Sequence, residues 1–126
     1  MAKSSYQLIR RLAQAIFDKK GSQIIAIDVC GISSITDYVL IANGNVERHV
    51  SSLAREIEAQ LKRGGTHLHR IEGHESSGWV ILDYFDLMIH LFTPAMRQKY
   101  QLDRLWPDGE IIAIDLVLPS VQTVQS

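Results

Sequence analysis

Cysteine is almost missing from this sequence of 126 residues, and the single one, Cys30, excludes an internal disulfide. Also missing are a secretory signal pattern and any apolar run near the roughly 20 residues that span a bilayer. A reducing interior, cytoplasmic or within an organelle, with no membrane partner, is therefore expected. The chain lacks a dominant charge: Lys and Arg total 13, Asp and Glu 14, for a net −1. That balance disfavours a grip on nucleic acid driven by phosphate neutralisation. The length suits one α/β domain over residues 1–118, burying about two thirds of its unfolded surface without disulfides or metals. The polar residues 119–126 read as a disordered tail.

Catalytic signatures are also scarce. No G-x-S-x-G elbow surrounds Ser33, Ser34 or Thr36, so these read as loop caps. His67 and His69 alternate as on one strand face, with His90 a third candidate nearby. No cysteine or carboxylate stands at a matching zinc-ligand spacing, and neither a metal nor a cofactor is expected. A helix starting after Gly44-Asn45 would offer free N–H groups to a phosphate, and Asp83 with Asp86 resembles a Mg²⁺-binding carboxylate pair. Those two carboxylates flank a turn rather than facing the glycine, which weakens an enzyme reading.

What is present is regular periodicity. Leu8, Ile9, Leu12, Ala13, Ile16 and Phe17 repeat at helical spacing, predicting a helix over 6–20 with a Ser4–Gln7 capping pattern and Gly21 at its end. A β-branched strand at 24–29 and a second at 38–42 are joined by a short polar piece and should pair antiparallel. Asn45 suits the cap of a helix over 46–63. A strand at 66–72 then makes a crossover unit, its strand running parallel to the second. Trp79–Leu82 and Leu87–Phe92, separated by Asp83-Tyr84-Phe85-Asp86, read as a hairpin. The nearly unbroken apolar second arm should be a central strand buried on both faces. This predicts a mixed five-stranded sheet with two helices covering one face. A short helical piece at 95–100 and a turn at 103–106 would close the domain, and Ile111–Leu116 is a candidate edge strand or self-pairing segment.

The stretch from Gly78 to Trp106 has more aromatic and acidic residues than folding requires. Residues 83–115 carry Asp83, Asp86, Asp103, Asp108, Glu110 and Asp115 against Arg97, Lys99 and Arg104, a net −3. Residues 1–20 carry +4, from Lys3, Arg10, Arg11, Lys19 and Lys20 against Asp18. Aromatics among carboxylates point to a contact surface for a basic partner. We assign Trp79, Tyr84 and Leu105 as apolar anchors, and Asp83, Asp86 and Asp103 as partners for arginine or lysine. Tyr100 and Trp106 belong to the same surface. Tyr38, Phe85 and Phe92 are assigned to the core.

Several of these segments carry a family resemblance. Thr36-Asp37-Tyr38-Val39-Leu40-Ile41-Ala42-Asn43-Gly44, Glu72-Gly73, Trp79-Val80-Ile81-Leu82-Asp83-Tyr84-Phe85-Asp86, His90-Leu91-Phe92 and Tyr100-Gln101-Leu102-Asp103-Arg104-Leu105-Trp106 resemble the ribosomal silencing factor family, also known as Iojap, over residues 5–115. The resemblance implies a fold distantly similar to nucleotidyltransferases without their catalytic motif. It implies a non-enzymatic role: binding the large ribosomal subunit through ribosomal protein L-fourteen and preventing the small subunit from joining, so that translation falls when nutrients are scarce. A minor contact with ribosomal RNA fits that role. Many members have glycine where Phe85 stands, so the turn here must avoid positive φ or bear strain. Two alternatives stay open at this point, a nucleotidyltransferase-like enzyme and a homodimeric scaffold using the same apolar surface.

Overall fold

Two segments, 38–43 and 87–92, lack the alternation of a half-exposed strand, and they form the centre of the sheet. The computed structural model describes residues 2–73 and 77–118, without the side chains of residues 2–4. In chain order these hold α1 (Ala2–Asp18), β1 (Ser22–Asp28), β2 (Tyr38–Asn43), α2 (Glu47–Arg63), β3 (Arg70–Glu72), β4 (Trp79–Asp83), β5 (Leu87–Phe92), α3 (Pro94–Tyr100), a 3₁₀ turn (Leu102–Arg104) and β6 (Glu110–Ile112). The strand order is β3-β4-β5-β2-β1-β6. β2 and β5 pair in parallel, with Tyr38 opposite Leu87 and Asn43 opposite Phe92, and every other pairing is antiparallel.

The α/β class and the mixed sheet agree with the sequence reading; several details differ. The sheet has six strands rather than five, because Glu110–Ile112 adds to the free edge of β1. Three residues are too few to show periodicity. The first helix begins at Ala2, so the Ser4–Gln7 pattern lies inside it and does not mark its start. The strand expected at 66–72 is reduced to Arg70–Glu72. It runs in the same direction as β2, as expected of a crossover, but β4 and β5 stand between them, and β2 takes β5 as its parallel neighbour. The expected tail at 119–126 lies outside the described residues.

Side-chain alternation divides the core into two layers. One face presents Ala26, Leu40, Ala42, Val80, Leu82, Ile89 and Leu91 to Ile9, Leu12 and Ile16 of α1 and Val50, Leu53, Ile57 and Leu61 of α2. The other gathers Ile27, Val39, Ile41 and Phe92, covered by Trp79, Met96, Leu102 and Trp106. Helices therefore lie on both sides. The two long ones share one face as expected, while α3 and the 3₁₀ turn partly shield the other.

The helix ends are tied by side chains the sequence pattern did not single out. Val46, not Asn45, is the cap residue of α2, and it makes no side-chain capping bond. Instead His49 Nδ1 accepts the Asn45 N–H at 2.8 Å, and Nε2 lies 2.7 Å from the Lys19 carbonyl. Because Nδ1 accepts, Nε2 carries the proton and donates, joining the end of α1 to the start of α2. Gly44 is required by packing, since a Cβ there would sit 2.8 Å from the backbone nitrogen of Val50. Beyond β6 the chain crosses α1: Gln14 bonds both the carbonyl and the N–H of Val117, and Arg10 Nε donates to the Ala113 carbonyl.

The β4–β5 turn takes the strained alternative. Phe85 adopts φ 72° and is 64% exposed, so it is not the core residue expected. Tyr84 beside it is 5% exposed and joins the helix-covered layer, so it cannot anchor a partner at the surface. The turn between the strands aims the two neighbours to opposite environments, a distinction that composition does not carry. Burial pushes the Tyr84 phenol up to about 12, and its hydroxyl has no hydrogen-bond partner among the described residues. An unpaired buried hydroxyl costs about 1–3 kcal/mol, so Tyr84→Phe should unfold at the same or a higher temperature than the parent by calorimetry. A fall in melting temperature would mean that the hydroxyl is satisfied.

Candidate functional site

The incomplete cover over the second face creates the site. Strand parity places Val39 on β2 and Met88 and His90 on β5 on that face. The β1–β2 loop, with Ile35 and Thr36, forms one wall above them, and Leu102, Leu105 and Trp106 form the other. Together they enclose a mostly apolar cleft of about 160 Å³. Its rim exposes large apolar groups, Ile35 at 74% and Leu105 at 61%. Phe85 and the start of β5 extend the rim through a shallower depression bordered by Ser34, Asp37 and Asp86.

Charge on this rim is divided into engaged and free carboxylates. Asp83 accepts the Phe85 N–H at 2.9 Å and lies 3.7 Å from Arg70 Nη2. Asp103 lies 3.5 Å from Arg97 Nε, a guanidinium that also donates to the Gln23 carbonyl and the Asn43 side chain. Asp37 and Asp86 are exposed, sit next to each other where β2 and β5 begin, and have no cationic partner among the described residues. Two adjacent carboxylates without an internal cation favour a basic group from outside.

The aromatic cluster behind the cleft supports it. Trp79 is half-buried, stacked 5.0 Å from Phe92 and tilted at 40° against Tyr100, whose ring centre is 4.6 Å away and which is itself 45% exposed. Trp79 Nε1–H donates to His90 Nδ1 at 3.2 Å. An indole nitrogen can only donate, so Nδ1 must be unprotonated. His90 is 6% exposed, and burial pulls its pKa down to about 4, keeping the ring neutral at physiological pH. Its single proton therefore sits on Nε2, for which no hydrogen-bond acceptor exists among the described residues.

Of the residues expected to form a contact surface, Asp86, Tyr100, Leu105 and Trp106 share this side of the molecule with Trp79 beneath them. Asp83 and Asp103 are present but held by arginines. Tyr84 is in the opposite layer. The three histidines considered together do not form one group: His90 is buried beside Trp79, whereas His69 is exposed and stacks 3.9 Å from Phe85. The sequence reading overlooked Ile35, Asp37, Met88 and the role of His90. The available signals were the lone apolar residue in Ser33-Ser34-Ile35-Thr36, and the shared parity of Met88, His90 and Phe92.

A family profile described as ribosomal silencing factor during starvation matches residues 2–126. A ribosomal silencing factor from Halalkalibacterium halodurans is 34% identical over 91% of this chain and 98% of its own length. The mouse mitochondrial assembly of ribosomal large subunit protein 1 is 28% identical over 78% of this chain and 44% of its own. The crystal structure of a Chromobacterium violaceum protein superposes with a TM-score of 0.74 at 37% identity, covering 79% of this chain and 84% of that one.

The neutral buried His90 has a measurable consequence. Between pH 6.5 and about 4 the unfolded chain binds a proton at this position that the folded chain refuses, so stability falls as pH drops through that window. From the shift the loss is about 3 kcal/mol. Urea denaturation at pH 7, 6, 5 and 4 should show the parent losing about that much more stability than His90→Phe; parallel losses would refute the assignment.

Proposed function

This chain belongs to the ribosomal silencing factor family, and from that membership we propose that it represses translation by binding the large ribosomal subunit and sterically blocking the small one. The contact is with ribosomal protein L-fourteen, as the family resemblance implies, and any contact with ribosomal RNA is minor. The mouse relative is named for assembly of the large ribosomal subunit, which supports that subunit as the binding platform. The action needs no bond made or broken and no cofactor, and it takes place in the cytoplasm.

The observation carrying this reading is the coincidence of exposed apolar residues with unpaired carboxylates on one face. Ile35, Phe85 and Leu105 supply desolvation, and Asp37 and Asp86 supply attraction to a basic protein while repelling bare phosphate. Tyr100 and Trp106 widen the contact, Trp79 holds it from below, and Asp83 and Asp103 shape its rim through their arginine bonds. Phe85 adds a second argument. An exposed aromatic held at left-handed φ costs about 1–2 kcal/mol with little burial in return, which points to a role in contact.

Light scattering of purified large and small subunits provides the test. Large subunits preincubated with the protein should join small subunits slowly, and Asp86→Lys should restore joining without a change in melting temperature. Phe85→Gly should bind large subunits more weakly while unfolding no earlier than the parent. Normal inhibition by Asp86→Lys would remove the acidic rim from the mechanism.

A further inference from the structure

The cleft over Val39, Met88 and His90 has a polar group at its floor whose partner is missing. His90 lines the cleft and is more than nine-tenths buried, and its Nδ1 is occupied by the Trp79 indole. The remaining ring N–H, on Nε2, has no acceptor among the described residues. Unlike the sealed Tyr84 hydroxyl, this N–H still reaches solvent, so a partner group that accepts it would take the place of water; its neighbours in the cleft are mainly side-chain carbon, with Thr36 already directed at the Tyr38 carbonyl. The volume, about 160 Å³, is close to that of apolar cavities that accept a benzene-sized group. That is room for one large apolar side chain, not for an extended ligand.

We propose that this cleft is the specificity pocket of the ribosome-binding surface: it takes a single aliphatic or aromatic side chain from a basic protein segment, and His90 Nε2–H donates to a main-chain carbonyl of that segment. The inference rests on the proposed function and narrows it to a chemistry. The occupant is a protein rather than nucleic acid, because Asp37 and Asp86 beside the entrance repel phosphate and attract lysine or arginine flanking the plug. Trp79 acts as a positioning residue. Its indole N–H occupies Nδ1 and so fixes the tautomer that presents Nε2–H to the partner.

Three variants separate the groups involved. Met88→Phe fills the cleft, His90→Phe keeps the ring's bulk but removes the donor, and His90→Gln restores an N–H donor near the Nε2 position. Affinity of the labelled protein for purified large ribosomal subunits should fall at least tenfold in Met88→Phe and His90→Phe, and stay within about threefold in His90→Gln. Melting curves recorded in parallel exclude loss of fold. In the parent labelled with ¹⁵N-histidine, adding purified ribosomal protein L-fourteen should shift the His90 Nε2 resonance and slow its proton exchange, a signature that a merely structural histidine would not give. If Met88→Phe and His90→Phe bind as the parent does while Asp86→Lys is released, the pocket is wrong and the wider surface stands. If Asp86→Lys also binds normally, or the parent does not bind large subunits at all, the ribosome-binding surface itself fails and the pocket with it. A dilution-dependent dimer in sedimentation that Met88→Phe dissociates without changing subunit affinity would assign the cleft to a second copy of the chain and overturn the proposal.

Discussion

The parallel pairing of β2 with β5 is the constraint on which the rest of the molecule depends. Parallel neighbours cannot be joined by a tight turn, so the chain must leave the sheet after Asn43 and return at Leu87. The intervening length supplies α2 to cover one face and the β3–β4 pair to extend the sheet. A central parallel pair is apolar on both faces, and both therefore need shelter from water. With α1 and α2 occupying one side, only a seven-residue helix and a 3₁₀ turn remain for the other. The cleft is what this short cover leaves open.

Electrostatics on that open side follows from which carboxylates the fold uses internally. Arg97 is largely sequestered and tied to Asp103, Asn43 and the Gln23 carbonyl, so it fixes α3 against the sheet rather than serving as a free cation. Arg70 neutralises Asp83 at the hairpin. The charges left over, at Asp37 and Asp86, stand where the two central strands begin. Their backbones are also joined there, with the Asp86 carbonyl accepting the N–H groups of Asp37 and Tyr38. A rigid pair of strand ends thus presents the free negative charge, which limits the entropy lost when a partner docks.

The layout of the domain was legible in the sequence because helical repeats at 8–17 and 50–61 and unbroken apolar runs at 38–42 and 87–92 are long signals. Short or tertiary features were not. β6 has three residues and exists only because β1 offers an edge. The β3 strand is short because only Arg70–Glu72 pair in register with β4, His69 adding a single bond from its N–H to the Asp83 carbonyl. At the site, aromatics among acids correctly marked the region, yet composition cannot tell which of Tyr84 and Phe85 faces inward. That choice is made by the left-handed backbone at Phe85. Asp37 was missed because its importance comes from proximity to Asp86, a relation across two strands far apart in sequence. His90 was weighed as a metal ligand and read instead as a sheet-surface histidine, whereas it is buried, and its neutral tautomer depends on the Trp79 indole across the β4–β5 ladder.

The strand order also bears on how the protein emerges during its own synthesis. α1 and the β1–β2 hairpin can form as soon as the first third of the chain is free, but β2 then has one ladder edge unpaired and apolar on both faces until β5 arrives far downstream. β1 waits longer still for β6, and α1 receives its last contacts, through Gln14 and Arg10, only from residues 113–117. Two of the five strand pairings, β2–β5 and β1–β6, join strands distant in sequence, so folding cannot be completed segment by segment, and a nascent chain stalled in its middle leaves an apolar strand edge exposed.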